Sequence, residues 1–566
     1  MLSRSAMGGG MLVAALSTCV LGAGSAPAQA PEPPLTPTPR ADCGPGSRPE
    51  TGVQGRVSPD DHASGRASKG FTCNTKLVGS YRKPNAIGTV GGFKVERYVD
   101  AAGHDCAYYD TTLMYPTNAL DSEGGVNVLD MSDPANPVLT ARLGTPAMDT
   151  PHESLVVSTK RGVLAAVAGN LTTNVGIIDL YDISKDCRSP ELRSSTPVGF
   201  LGHESGMAPD GLTFYSASPA GETLVAVDIS NLTVPVPLWI GRYDSHGLSI
   251  RDDGNRAYVA GTGSGLHILD TTEIQKRVVN PNVPELSNLT WKSMSIPQNA
   301  IPVTIKGRPY VVEIDEFGAQ SEVGAGRIID IADETRPRVV SNLRLEVHQP
   351  ENFPAQSADN GANNPVQGYA GHYCNVPSRV DPGIVACSMI LSGLRVFDIR
   401  DPAKPREIAY FNAPVDPRII PPAGIVPAPS NWAMSSPSFV PERGEIWYSD
   451  GLSGFYAVRV TNDRWPFPRG GGGSSSPCLR PSRLSFKLHR VEGTRVVRVE
   501  AYANGKRRLR RRGRDIRRVE LTGLKRGGTL RIRIVATHDT GSKVISTRTW
   551  KGCRKGKPRV RAIGRR

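Results

Sequence analysis

Short apolar runs alternating with polar residues dominate this chain, and the runs stop at Gly, Asp or Pro rather than continuing with a helical period. Period-two alternation closed by such residues predicts strands joined by tight turns. One unit recurs: "VNVLDMSDPANPVLTARL" from 126, "VAVDISNLTVPVPLWIGRY" from 225, "RIIDIADETRPRVVSNLRL" from 327 and "LRVFDIRDPAKPREIAYF" from 394. Each is an apolar strand, an Asp, a polar turn, a Pro seven residues after that Asp, and a second strand. The aligned acids are Asp130, Asp228, Asp330 and Asp398; looser copies carry Asp182 and Asp270, and "FYAVRVTND" from 455 has Arg459 in the same place. An Asp side chain bonds backbone amides two residues on, and Pro fixes φ and cannot donate into a ladder, so each strand reverses at a set point.

Upstream of each unit lies a second pattern of strand, glycine turn and strand, with turn glycines Gly162, Gly211, Gly254, Gly307, Gly383 and Gly444. Hairpin plus repeat makes four strands, the content of one propeller blade. With its V-x-D-[IV]-S-D-P-x-x-P turns, the stretch 76–462 resembles the LVIVD-repeat β-propeller family. That resemblance implies an architecture and leaves activity open, because propellers host many functions. The expected fold is all-β, a seven-bladed propeller followed by a small β-sandwich. The last blade lacks a fourth strand, and "KLVGSYRKP" at 76–84 is expected to supply it and so remove free sheet edges.

Composition adds boundaries. The chain has 566 residues with 60 Gly and 47 Pro. Arg4, the apolar run at 11–24 and "APAQA" ending at Ala30 predict a secretory signal over 1–30, followed by an extension over 31–75. No later stretch is long and apolar enough to span a bilayer. Outside the signal the Cys count is even, which in an exported chain argues for disulfides. Cys374 with Cys387 and Cys478 with Cys553 are the expected bridges, each at the ends of a local unit; Cys43, Cys73, Cys106 and Cys187 cannot be paired from spacing.

The net charge of +15 is unevenly spread: residues 478–566 hold 29 Lys and Arg against 5 Asp and Glu, and the remainder is acidic. A Gly/Ser linker over 463–477 separates two bodies, the second read as a basic sandwich over 478–553 with a disordered basic tail over 554–566. "NGKRRLRRRGRDIRR" at 504–518 suits an anionic envelope polymer, and equally a solvated face. Export and the lack of interleaved aromatics argue against specific nucleic-acid recognition.

Half of the ten histidines, His104, His152, His203, His246 and His372, fall at what the repeat predicts to be the start of a blade's first strand. First strands line the axis of a propeller, so these imidazoles could converge at one channel mouth as divalent-metal or ligand groups. A histidine at a repeated position is also what a structural peg within each blade predicts. Glu153 counts against a His-Glu ligand pair, because neighbours in a strand face opposite ways. The chain has no G-x-S-x-G, H-E-x-x-H, C-x-x-C or Walker loop. The leading expectation is therefore an exported monomeric scaffold, without recognisable catalysis, that binds a ligand or protein partner and is tethered by its basic domain. A metal-dependent hydrolase or oxidase with a histidine ring is the alternative.

Overall fold

The computed structural model describes residues 31–83, 89–112, 124–169, 175–317, 323–362, 368–419, 421, 428–468, 484–488, 493–522, 524, 530–551, 554–555 and 559–563. It forms two compact units, Met1–Gly470 and Gly471–Arg566. The expected signal over 1–30, most of the linker and the Cys478–Cys553 bridge lie outside the described residues.

Among the described residues the first unit holds six four-stranded antiparallel sheets and one of five strands. Sheet 1 is a meander of Val95–Val99, Asp105–Asp110, Val126–Asp130 and Val138–Leu143. The same meander runs from Val156–Ser158 to Glu191–Phe200 (sheet 2), from Gly206–Met207 to Val236–Arg242 (sheet 3) and from Gly247–Ile250 to Glu285–Leu289 (sheet 4). Sheet 5 runs from Ile296–Ile305 to Arg338–Leu343, sheet 6 from Gly371–Asn375 to Arg406–Asn412, and sheet 7 from Ser438–Val440 to Gly454–Val460. First strands of sheets 1 to 6 adjoin in succession, and that of sheet 7 adjoins that of sheet 1.

Apolar side chains fill the gaps between consecutive sheets. Leu164, Ala166 and Tyr181 of sheet 2 meet Tyr108 and Val128 of sheet 1. Between sheets 7 and 1, Trp447 and Phe455 pack on Tyr109 and Leu129, with Trp447 fully buried. Each such large side chain contributes about 1.5–3 kcal/mol through burial. Strand alternation sends one row of side chains to each neighbouring gap, which makes these strands nearly apolar throughout.

The repeat turns are built by their acids. Asp130, Asp182, Asp228, Asp270, Asp330 and Asp398 each end a third strand, and each accepts the backbone N–H two residues on at 2.7–3.1 Å. The six turn glycines carry φ between 68° and 79°, a region that suits residues without a Cβ.

Thr75–Tyr81 pairs with Gly454–Val460 as the fourth strand of sheet 7. Residues of the expected extension over 31–75 join the sheets. Phe71–Cys73 adds a fifth strand to sheet 6, and Cys43–Cys73 is a disulfide, as are Cys106–Cys187 and Cys374–Cys387. After Leu343, short helical turns bury Val347, His348 and Gln356, and Arg56 clamps Asp359 at 2.8 Å.

In the second unit, Lys506–Arg512, Val496–Ala503, Leu530–His538 and Lys543–Lys551 form one sheet, and Leu484–Lys487 pairs with Arg518–Leu521. Phe486, Val499, Ile532 and Val519 make its core. The tail expected to be disordered contains a strand, Arg559–Ile563, on Lys543–Thr547. Its "RVRAI" alternation is short but meets an open sheet edge.

Candidate metal centre

Four of the five singled-out histidines meet. His152 and His203 precede the first strands of sheets 2 and 3, His246 immediately precedes that of sheet 4, and His372 lies in that of sheet 6. Ring centroids are 4.6 Å apart for His152 and His203 and 4.1 Å for His203 and His246, and Phe93 contacts the rings of both His152 and His372. His104 does not join them. The first strand of sheet 1 is Val95–Val99, which places His104 before the second strand, where its Nδ1 lies 2.7 Å from Asp100 and caps the intervening turn. Residues 103–106, GHDC, and 371–374, GHYC, match in letters but not in strand order.

The local backbone differs from a strand at one decisive point. His152 and Glu153 have φ of 39° and 74°, left-handed values uncommon for residues with a Cβ. Gly169 permits the arrangement, because a Cβ there would fall 2.1 Å from His152 Cβ. In this turn His152 and Glu153 both reach the cluster, so strand alternation does not separate them.

Hydrogen bonds fix the imidazoles. His246 Nδ1 donates to the Pro297 carbonyl at 2.7 Å, and His372 Nδ1 to the Met434 carbonyl at 2.8 Å. The His246 peg reaches sheet 5 and the His372 peg the segment before sheet 7, and each leaves Nε2 as an unprotonated lone pair. His203 accepts the Glu204 N–H on Nδ1 at 2.9 Å and turns Nε2 toward His246 Nε2 at 3.1 Å.

Carboxylates face those lone pairs. Glu316 Oε2 is 2.9 Å from His372 Nε2, and its Oε1 is 3.3 Å from His246 Nε2. Glu153 lies 3.5 Å from His372 Nε2 and 3.3 Å from His203 Nδ1. His372 Nε2 receives no hydrogen bond despite these neighbours, because both sides offer acceptors. Tyr373 Oη donates to Glu153 at 2.6 Å, and the Gln298 amide donates to the same carboxylate. Glu153, Glu316, His246 and His372 are at most 4% exposed. Burial pushes Glu316 up to about 7 and raises Glu153, against the lowering influence of His246 and His372 respectively. It also lowers His246 and His372, and holds His203 well below the ordinary imidazole value with help from His246, His152 and His372.

β-Bulges aim two of these groups. The ladder skips a residue between Gly371 and Tyr373 and between Pro297 and Asn299, turning His372 and Gln298 to the same centre. Gln298 thus takes in sheet 5 the place held by histidine in sheet 6. Glu316 is absent from the sequence-derived candidates; it ends the second strand of sheet 5, as Asp110 and Asp450 end theirs. An acid closing the second strand was the available signal.

The LVIVD repeat family matches residues 120–145 and 220–244. The chain is a β-propeller repeat protein. Among solved structures it is similar to a 6-phosphogluconolactonase-like protein of Bacteroides fragilis, at 11% identity and a TM-score of 0.39 over 58% of this chain and 84% of that one. It is also similar to a hydrazine synthase chain of Kuenenia stuttgartiensis, at 16% identity and a TM-score of 0.35 over 53% and 74%. No curated protein matches it.

Along the propeller's first strands, residues beyond the histidines line a cavity of about 510 Å³. Where it approaches the histidines, Glu204 Oε1 accepts from Lys94 Nζ and Asn299 Nδ2, each at 2.8 Å. Lys94 Nζ also sits 4.6 Å from the Tyr373 ring centroid, linking the cavity wall to the residue that holds Glu153.

Proposed function

We propose that this protein is an exported ligand- or partner-binding scaffold with a divalent transition metal at its centre. In this reading the seven sheets are the blades of one propeller, the C-terminal sheets form a β-sandwich, and the sandwich attaches the protein to the anionic cell envelope. Glu153, Glu316 and His372, whose ligand atoms lie within 4.8 Å of one another, would hold the metal, with His246 beside Glu316. The supporting observation is the juxtaposition of the Nδ1-anchored His372 imidazole, whose Nε2 receives no hydrogen bond, with the buried carboxylates of Glu153 and Glu316. A proton relieves one acceptor pair at a time. A divalent cation would satisfy Glu153, Glu316 and His372 together, and imidazole with carboxylates suits Zn, Cu or Fe.

The disulfides favour an oxidising compartment, and among the described residues no helix is long and apolar enough to cross a membrane. Attachment draws on Lys506–Arg512, an exposed edge strand in which Leu509 alone packs toward the core. Elemental analysis of the purified full chain should find one Zn, Cu or Fe per molecule, lost in Glu316→Gln plus His372→Ala. Metal-free protein that takes up none of the three overturns the centre. Deletion of 471–566 should release the protein from cells, and unchanged fractionation overturns the tether.

A further inference from the structure

We infer that the propeller cavity is a separate binding site for a small aliphatic ammonium ligand. Glu204 and Asn299 line the cavity and are 2% and 4% exposed. Both present a buried oxygen that has no donor: Glu204 Oε2 and Asn299 Oδ1. Leaving a buried acceptor without a donor is costly, and native structures rarely do so without a ligand or other partner for it. The site is also shaped around that carboxylate. A Cβ on Gly247 would stand 2.1 Å from Glu204 Oε2, so glycine clears its place.

Charge selects the ligand. The wall carries Lys94, Glu96, Glu204, Asp252 and Arg379. Asp252 and Arg379 offset one another at 3.3 Å, and the Lys94 ammonium is engaged by Glu204 Oε1 at 2.8 Å. Burial raises Glu96 and Glu204 to about 7, and with both ionised Glu96, half-buried in the same wall, leaves the cavity with one negative charge in excess. Three acceptors, on Glu204, Asn299 and Glu96, match the three N–H donors of a primary ammonium. Val157, Met207, Leu248, Ile250 and Ile301 supply apolar wall for a short chain, and the volume lies in the range that encloses small ligands.

The test uses the full-length protein and four probes: n-butylammonium, tetramethylammonium, n-butanol and butyrate, with binding followed by calorimetry and ligand-detected NMR. Saturable binding of n-butylammonium, with the other three at least tenfold weaker, is the expected result. Glu96→Gln, at a half-buried position, should weaken n-butylammonium by about tenfold, the effect of losing one charge-assisted hydrogen bond. Glu204→Gln should weaken it further. Preference for butyrate or butanol, or unchanged affinity in Glu96→Gln, overturns the proposal. Metal content is measured on the same samples, so a failed metal centre and a failed ammonium site are told apart.

Discussion

Buried charge is handled in two ways in this propeller. In sheet 5, Arg327 reaches Glu313 and bonds Asp315 at 2.7 Å; in sheet 6, Arg395 bonds Glu407 at 3.0 Å and reaches Glu50 from the N-terminal segment. Each cluster brings its own cation, whose guanidinium also stacks on an aromatic ring, Trp291 or Tyr410. At the centre, Glu153 and Glu316 are just as buried but face imidazoles whose protonated forms burial disfavours. The arginine clusters are complete within the chain. The histidine centre has no such cation of its own among its described neighbours, and on the proposed reading an external metal would supply it, which separates a structural polar core from a site.

The largest effect should come from breaking a self-sufficient cluster. Arg395→Met leaves Glu50 and Glu407 buried without their cation and should cost about 3–5 kcal/mol, read as a lowered denaturant midpoint. A midpoint close to the original would mean that these carboxylates tolerate burial unaided, and the contrast with the centre would collapse. Metal should move the centre the other way. At a free concentration of one hundred times Kd, a bound ion adds about 2.7 kcal/mol to stability, reversed by a chelator. Glu316→Gln should abolish that increment while leaving metal-free stability unchanged or higher, since it removes an acceptor from an acceptor-rich site. Thermal unfolding with and without Zn measures both, and a metal increment that survives the substitution would remove Glu316 from the ligand set.

A smaller effect is expected one bond further out. Tyr373→Phe deletes the hydroxyl that holds Glu153 and should weaken metal affinity by about 10–100-fold, the range for groups that orient a ligand. The metal-free fold should change little, because the ring and its packing remain. Equal affinity in the variant would show that Gln298 alone positions the carboxylate.

How much of this was readable from sequence depended on whether a feature repeats. The turn acids and turn glycines recur with fixed spacing, so the four-strand units and the strand that completes sheet 7 could be drawn from the letters. The histidines were found for the same reason, through their register. What escaped was non-repetitive: the left-handed turn that lets Glu153 join His152, the bulge that aims Gln298, and Glu316 at the end of a second strand. His104 shows the converse, since a repeated phrase misled where sheet 1 inserts Val95–Val99 ahead of it. Backbone irregularity decides the site, and irregularity leaves no period.

The repeat itself supplies the smallest test, and it sets an ordinary turn against a reinforced one. Asp228 holds the Ser230 N–H at 2.7 Å and is otherwise only 3.6 Å from Arg277. Asp330 holds the Ala332 N–H at 3.1 Å but also bonds Arg308 at 2.7 Å and Arg338 at 2.8 Å, in a more enclosed setting. Burial pushes the Asp330 carboxyl up, but the bonds from Arg308 and Ala332 and the charges of Arg308 and Arg338 together outweigh it and hold the carboxyl below its ordinary value. Asp228→Ala should therefore cost about 1 kcal/mol, the net worth of one hydrogen bond, while Asp330→Ala costs more because two arginines lose their partner. The difference belongs to the charged form and so has a sign in pH. A depressed carboxyl stabilises the fold above its unfolded pKa, and that contribution fades as pH falls through the folded value. Denaturant midpoints of the two variants should accordingly converge in acid and separate at neutral pH. A gap that persists unchanged in acid would assign the difference to packing rather than to the arginines.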